Sequence, residues 1–214
     1  KSRWHYINKL VWLTNEDEAV LKTQIDHNME TEFAPPMRQN LNVVQALRGN
    51  LQIWKSDSAS EGEKAVAFCW ILHLAGDIHQ PLHTVALFSK GFFPKGDRGG
   101  NSIQVVWGDE TRNLHAVWDG LPTGMESLEP SARTIRSIKE DVVDDAAIDE
   151  WLIHHANLAR KFVYTDELRS QLVSGLKNNQ LPEIVLSRNY LVAAESIARR
   201  QVNLAGYRIA KLIE

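Results

Sequence analysis

His73-Leu74-Ala75-Gly76-Asp77-Ile78-His79-Gln80-Pro81-Leu82-His83 follows a run that holds Val66, Phe68, Cys69, Trp70, Ile71 and Leu72, and its reading decides the fold. His73 and Asp77 are four apart, so on a helix they sit one turn above each other on the same face. Pro81 has no N–H and disfavours a helical residue before it. The chain therefore turns near Gln80 and can swing His83 back toward that face. Imidazole nitrogens and a carboxylate oxygen form a ligand set suited to zinc. A lone His-x-x-x-Asp pair is often only an exposed helical pair. This one ends a stretch that is apolar almost all round from Ala65 to Ala75, which reads as a buried helix. A charge carried into a core needs a partner or a metal.

Upstream, Ser60 and Glu63 form a capping-box pattern that starts this helix. Leu41, Val44, Leu47, Leu51 and Trp54 recur at helical spacing after the Pro35-Pro36 break, predicting an amphipathic helix from about Met37 to Lys55. Thr14 or Asn15 caps a short helix beginning at Glu16. His27 has no patterned neighbours and reads as exposed. His5, between Trp4 and Tyr6, reads by itself as a core or interface histidine.

Downstream, Ser89 to Asn101 is a long loop rich in Gly, Lys, Phe and Pro, of the kind that often carries function. Ile103 to Trp107 reads as a strand, with Gly108-Asp109 as hairpin turn chemistry, and it is the only convincing β signal. Asn113-Leu114-His115-Ala116-Val117-Trp118-Asp119 then repeats the His-x-x-x-Asp spacing, ended by Gly120, Leu121 and Pro122. Further helices are predicted from Glu129-Pro130 toward Val143, from Asp149 to Tyr164 and from Arg188 to Ile213. His154 and His155 are adjacent and point about 100° apart on a helix, so they read as structural or exposed. Arg199-Arg200 reads as a solvated face. The pattern is that of a mainly α chain, a single-domain helical bundle over residues 1–214 with one small β-hairpin.

A formal charge of -3 argues against gripping duplex nucleic acid through a broad basic face, though not against holding phosphate through metal ions. Cys69 is the only cysteine, so neither an intrachain disulfide nor a cysteine-rich zinc finger is open to the chain, and Cys69 reads as an inert small hydrophobe. No run of about 18 apolar residues predicts a membrane span. Lys1-Ser2-Arg3-Trp4-His5 reads as the middle of structured sequence, not as a signal peptide.

His5, His73, Asp77, His83, His115 and Asp119 are too many nitrogen and oxygen ligands for one tetrahedral zinc and enough to begin a multinuclear cluster. Clustered zinc suits phosphate ester hydrolysis, because it acidifies a bound water to a pKa of about 7 and stabilises the leaving alkoxide. The order of these motifs, with Gly99-Gly100-Asn101-Ser102 between them, resembles the zinc-dependent single-strand nucleases and 3′-nucleotidases of the S1/P1 family, related to bacterial zinc phospholipase C. Trp4-His5-Tyr6-Ile7-Asn8 and Ala205-Gly206-Tyr207-Arg208-Ile209-Ala210 extend the resemblance over nearly the whole chain.

The resemblance implies a helical bundle around three zinc ions. His83, His115 and Asp119 match the ligands of one ion. His5, His73 and Asp77 match those of a second, with Asp77 bridging to the third. Tyr6 matches the aromatic that stacks on a nucleobase, and Asn8 stands where fungal members place a base-contacting Asp. His79 matches no ligand and is expected to act by packing or hydrogen bonding. The family's zinc-binding N-terminal Trp, with a His and an Asp that follow it, would precede Lys1, so an upstream segment is expected outside this chain. The implied activity is hydrolysis of single-stranded DNA, RNA and 3′-nucleotides to 5′-phosphates by a metal-bound hydroxide, without stable duplex binding, in a secreted or periplasmic protein. Two rivals stay open: phospholipase C-type hydrolysis of phospholipids, and a catalytically silent zinc-binding protein.

Overall fold

Ser60 starts the central helix as its sequence predicts. Its hydroxyl accepts from the Glu63 N–H, and the Glu63 carboxylate accepts from Ser60 N at 2.9 Å and Ser60 Oγ at 2.7 Å. The computed structural model describes residues 2–34, 40–122 and 147–214. The helix read from Glu129 toward Val143 lies outside them.

The central helix, α3, spans Glu61–His79 and stops where Gln80 becomes extended ahead of Pro81. A short 3-10 turn, Pro81–His83, then reverses the chain. Ala67, Ile71, Leu74, Ala75 and Ile78 form its buried line. The prediction of burial all round is wrong. Val66 is 58% and Leu72 39% exposed, and Cys69 is exposed too. The residue types are apolar on both sides, so polarity alone hid which side faces the core.

The buried line packs on α2 (Val43–Trp54), on α5 (Ala147–Leu158) and on α7 (Arg188–Ile213). Val44, Leu47, Leu51, Trp151, Leu152 and Leu212 fill that seam, each fully buried aliphatic contributing roughly 1.5–3 kcal/mol. Helix α2 begins later than the spacing suggested. Asn42 caps it, accepting from Val44 N and Gln45 N, while Asn40 before it has a φ of 59°. Helix α1 spans Asn15–Leu21, with Thr14 as its cap.

The hairpin at Gly108 is present: β3 (Gln104–Trp107) pairs antiparallel with β4 (Glu110–Asn113). It is not the only β structure. Strand β1 (Lys9–Trp12) pairs parallel with β2 (Val85–Phe88), and β5 (Ile184–Val185) pairs parallel with β3. Val85, Leu87, Ile103, Leu114, Trp118 and Ile184 join a second apolar cluster beneath these strands. Helix α4 (Leu114–Gly120) starts as β4 ends. Helix α5 passes into a π-helical turn at Ala159–Val163, so the predicted helix to Tyr164 is α-helical only to Leu158. Helix α6 is Asp166–Lys177. The architecture is mainly α, and no described helix is long and apolar enough to cross a membrane.

Candidate metal centre

All six predicted ligands lie at one end of α3, in two groups whose ligand atoms are within 4.8 Å of one another. In the first group, the 3-10 turn Ser2–His5 delivers His5 to the exposed end of the α3 face that carries His73 and Asp77. His5 Nδ1 lies 3.1 Å from Asp77 Oδ2 and 2.9 Å from His73 Nε2, and His73 Nε2 lies 3.3 Å from the same oxygen. Ligands about 2.0–2.1 Å from a tetrahedral ion stand roughly 3.3 Å apart. The triangle therefore has the size of one face of a zinc coordination shell, and its nitrogen and oxygen donors fit that ion. Trp4 and Trp70 wall it, with Trp70 6.0 Å from both histidine rings, centre to centre.

In the second group the imidazoles are tied down. His83 Nδ1 donates to the His5 carbonyl at 2.7 Å, and His115 Nδ1 donates to the Gly99 carbonyl at 2.7 Å. Each ring thereby keeps its Nε2 lone pair for an ion. His115 Nε2 is 3.6 Å from Asp119 Oδ2, and Gln80 Nε2 donates to Asp119 Oδ1 at 3.0 Å. The two histidine rings stack, 4.9 Å between centres. Burial opposes charge on His83, yet the Asp77 carboxylate together with the His5 carbonyl and Asp119 leaves the pKa above its ordinary value. Asp77 Oδ1 is 3.2 Å from His83 Nδ1, so one carboxylate touches both groups. The side chains of His83 and His115 are 16% and 18% exposed, against 35% and 55% for His5 and His73.

The Gly99 carbonyl is itself fixed by a residue that sequence reading passed over. Asp97 is fully buried in the long loop and accepts from Leu87 N and Gly100 N at 2.9 Å and from Tyr164 Oη–H at 2.7 Å. Gly99 and Gly100 have φ of +59° and +82°; a methyl group on Gly99 would strike the Leu82 carbonyl, beside His83. The loop is thus wedged between the two histidine-bearing turns. Its length and glycine content were the only sequence signal for this role.

Other histidines are accounted for by packing. His79 Nδ1 donates to the Ala75 carbonyl and its Nε2 accepts from Arg208. His155, adjacent to the exposed His154, is fully buried. It bonds the Trp151 carbonyl and Gln201, and burial pushes its pKa down to about 3. With Nδ1 as its donor, a neutral His155 needs the Gln201 amide nitrogen turned toward Nε2. His27 is not exposed as expected; it is half-buried, with its ring 5.5 Å from that of Phe88. Arg199 is ion-paired with Glu195 at 2.9 Å.

A cavity of about 540 Å³ opens over the second group, lined by His5, His83 and His115 and also by Tyr6, Asn8, Lys95, Arg98 and Asn101. Both predicted substrate residues are therefore beside the candidate ligands, with Tyr6 exposed at the rim. The arrangement can hold divalent ions against one wall and present cationic and flat aromatic groups from the others.

The sequence profile described as S1/P1 Nuclease matches residues 1–214. Endonuclease 2 of Arabidopsis thaliana is 29% identical over 175 residues, covering 78% of this chain and 57% of the relative. Endonuclease 4 of the same plant is 27% identical over 172 residues, covering 72% and 53%. Nuclease S1 of Aspergillus oryzae is 42% identical over 65 residues, covering 30% and 19%. The chain spans a little over half the length of the two plant relatives. The family profile runs from end to end over a chain whose histidine and aspartate pairs converge as described, and the chain belongs to the S1/P1 nuclease family.

Proposed function

We propose that the protein hydrolyses phosphodiester bonds of single-stranded DNA and RNA, and 3′-nucleotides, releasing 5′-phosphates with zinc as cofactor. The observation that carries this reading is the junction at Asp77, which touches His5 and His73 through Oδ2 and His83 through Oδ1 beside one shared cavity. His83, His115 and Asp119 would hold one ion, and His5, His73 and Asp77 a second. A third ion on Asp77 would need ligands beyond these six. Bound zinc would supply a Lewis acid for the phosphoryl oxygens and a water acidified toward neutral pH. The His5 and Gly99 carbonyls hold the imidazoles in the ligating tautomer. Tyr6 offers a stacking face for a base and Asn8 an amide for its edge. Lys95 and Arg98 supply positive charge for phosphate. Export from the cytoplasm, which the family resemblance implies, belongs to the same proposal.

The test is to give the zinc-loaded protein single-stranded and duplex oligonucleotides, a 3′-mononucleotide and phosphatidylcholine vesicles. Single strands should be cut to 5′-phosphates faster than duplex, and a chelator should stop the reaction. Release of phosphorylcholine without strand cleavage would replace this reading with the phospholipase one. Tight zinc binding with no turnover of any substrate would favour a silent protein.

A further inference from the structure

The groove beside the histidines has a second lobe that the chemistry above does not use. It is bounded by Arg3, Ile7, Asp26, Asn28 and Leu41. Tyr6, Asn8 and His27 line both lobes, so the two cavities share one wall.

The polar groups of this lobe fall into two sets. Asn28 and Asn42 are committed to structure. Asn28 Nδ2 donates to the Asn40 carbonyl and to Gln45 Oε1, while Asn42 Nδ2 donates to the carbonyls of Asn28 and Glu30. This net holds the wall rigid before any guest arrives, which lowers the ordering cost of binding. The side chains of Arg3, Asn8 and Asp26, by contrast, have no hydrogen-bond or ion-pair partner among the described residues. His27 Nδ1 is shut off from solvent and likewise unpartnered. Burial holds the His27 pKa below its ordinary value, with Asp26 raising it and Arg3 lowering it. At neutral pH the ring is therefore an uncharged flat surface, and no ring contact joins it to Tyr6 among the described residues.

A stiff wall facing free donors, one free carboxylate and two separated rings suits a planar heterocycle with mixed polar edges. An apolar guest would leave Arg3 and Asp26 unanswered, and a bare anion would meet the Asp26 charge.

We propose that this lobe is a second nucleotide subsite, taking the base next to the one at Tyr6, with Asp26 accepting from an exocyclic amino group and Arg3 answering the intervening phosphate. The proposal rests on the nuclease reading. It makes the protein prefer strands of two or more nucleotides, with an amino-bearing base in the second position.

Calorimetric titration of the zinc-loaded protein with a 5′-mononucleotide, which the proposed activity releases and does not cleave, and with phosphorothioate dinucleotides that resist cleavage tests it. Asp26→Ala and Arg3→Ala alter exposed side chains outside the core. In the wild type, a dinucleotide with adenine or cytosine in the second position should bind about tenfold tighter than the mononucleotide, the scale of one hydrogen bond to a charged group. A thymine there should lose most of that gain. In both variants the ratio should fall to within about twofold. An unchanged ratio in the variants overturns the second subsite while leaving the nuclease reading intact, because mononucleotide binding persists. If neither ligand binds and phosphorylcholine does, both readings fall together.

Discussion

The two ligand groups use the same residue types and differ in how the protein holds them. His83 and His115 are locked by backbone carbonyls and sit in the cavity wall. The nitrogens of His5 and His73 meet each other and Asp77, and His73 stands largely in solvent. Locked imidazoles lose little freedom when an ion arrives, whereas open ones must be ordered by it. The lesson is that one group is already set for a metal ion, while the other would depend on the ion for its geometry. Asp77 is the member that touches both.

The sharpest way to break that contrast is Asp77→Ala. Single-strand turnover should fall about a thousandfold or more, the scale of losing a central electrostatic group from an active site. Zinc content measured by mass spectrometry should drop in the same protein. A variant that kept its zinc and its rate would show that Asp77 links nothing.

Next in size is Asp97→Asn, with Tyr164→Phe as the gentler partner. Loosening the Gly99 carbonyl should weaken zinc at His83, His115 and Asp119 about 10–100-fold, the range for groups that orient a ligand. Competition with a calibrated chelator reads this directly, and the His5 and His73 group should be unmoved. Equal weakening of both groups would point to general unfolding.

Lys95→Ala combined with Arg98→Ala should be milder. The KM for single strands should rise about three- to tenfold, and the dependence of binding on log salt should become shallower by up to about one unit for each phosphate that is no longer neutralised. Unchanged values would make these side chains solvated bystanders.

The smallest effect is in pH dependence. Burial pushes the Asp97 carboxyl up to about 6, only partly countered by Tyr164 and the backbone N–H groups. The unfolded value is near 3.9, so the folded state binds this proton more tightly. The group's contribution to stability is therefore greatest below about pH 4 and declines as pH rises to about 6. The margin in Tm of wild type over Asp97→Asn should shrink by a few degrees across that window. A margin that widens with pH would contradict the assignment.

Much of the site was legible because its spacings are local. His73 with Asp77, and His115 with Asp119, declare their shared faces through helical periodicity, and Pro81 declares the turn that returns His83. Ser60 with Glu63 and the Gly108 hairpin are equally short-range signals. What stayed hidden was long-range. Nothing near Lys9 says that its strand will pair with Val85. Asp97 looks like any loop carboxylate until Tyr164 arrives from a distant turn. The late start of α2 reflects Asn42, whose side chain competes as a cap inside an otherwise helical spacing. His27 looked solvent-facing because the Phe88 ring that covers it is far away in sequence.

The parallel ladder carries a consequence for how such a chain can vary. Ile7 N donates to the His83 carbonyl and Lys9 N to the Thr84 carbonyl, so the pairing of β1 with β2 extends back almost to His5. Alternate residues on an extended segment face opposite ways. Inserting one residue between Tyr6 and Lys9 would turn Tyr6 to the opposite side and move the 3-10 turn that ends at His5 out of register with His73 and Asp77. Surface turns elsewhere can lengthen across generations, but the count of residues along this short rung is a measuring stick that inheritance cannot recalibrate without parting His5 from His73 and Asp77.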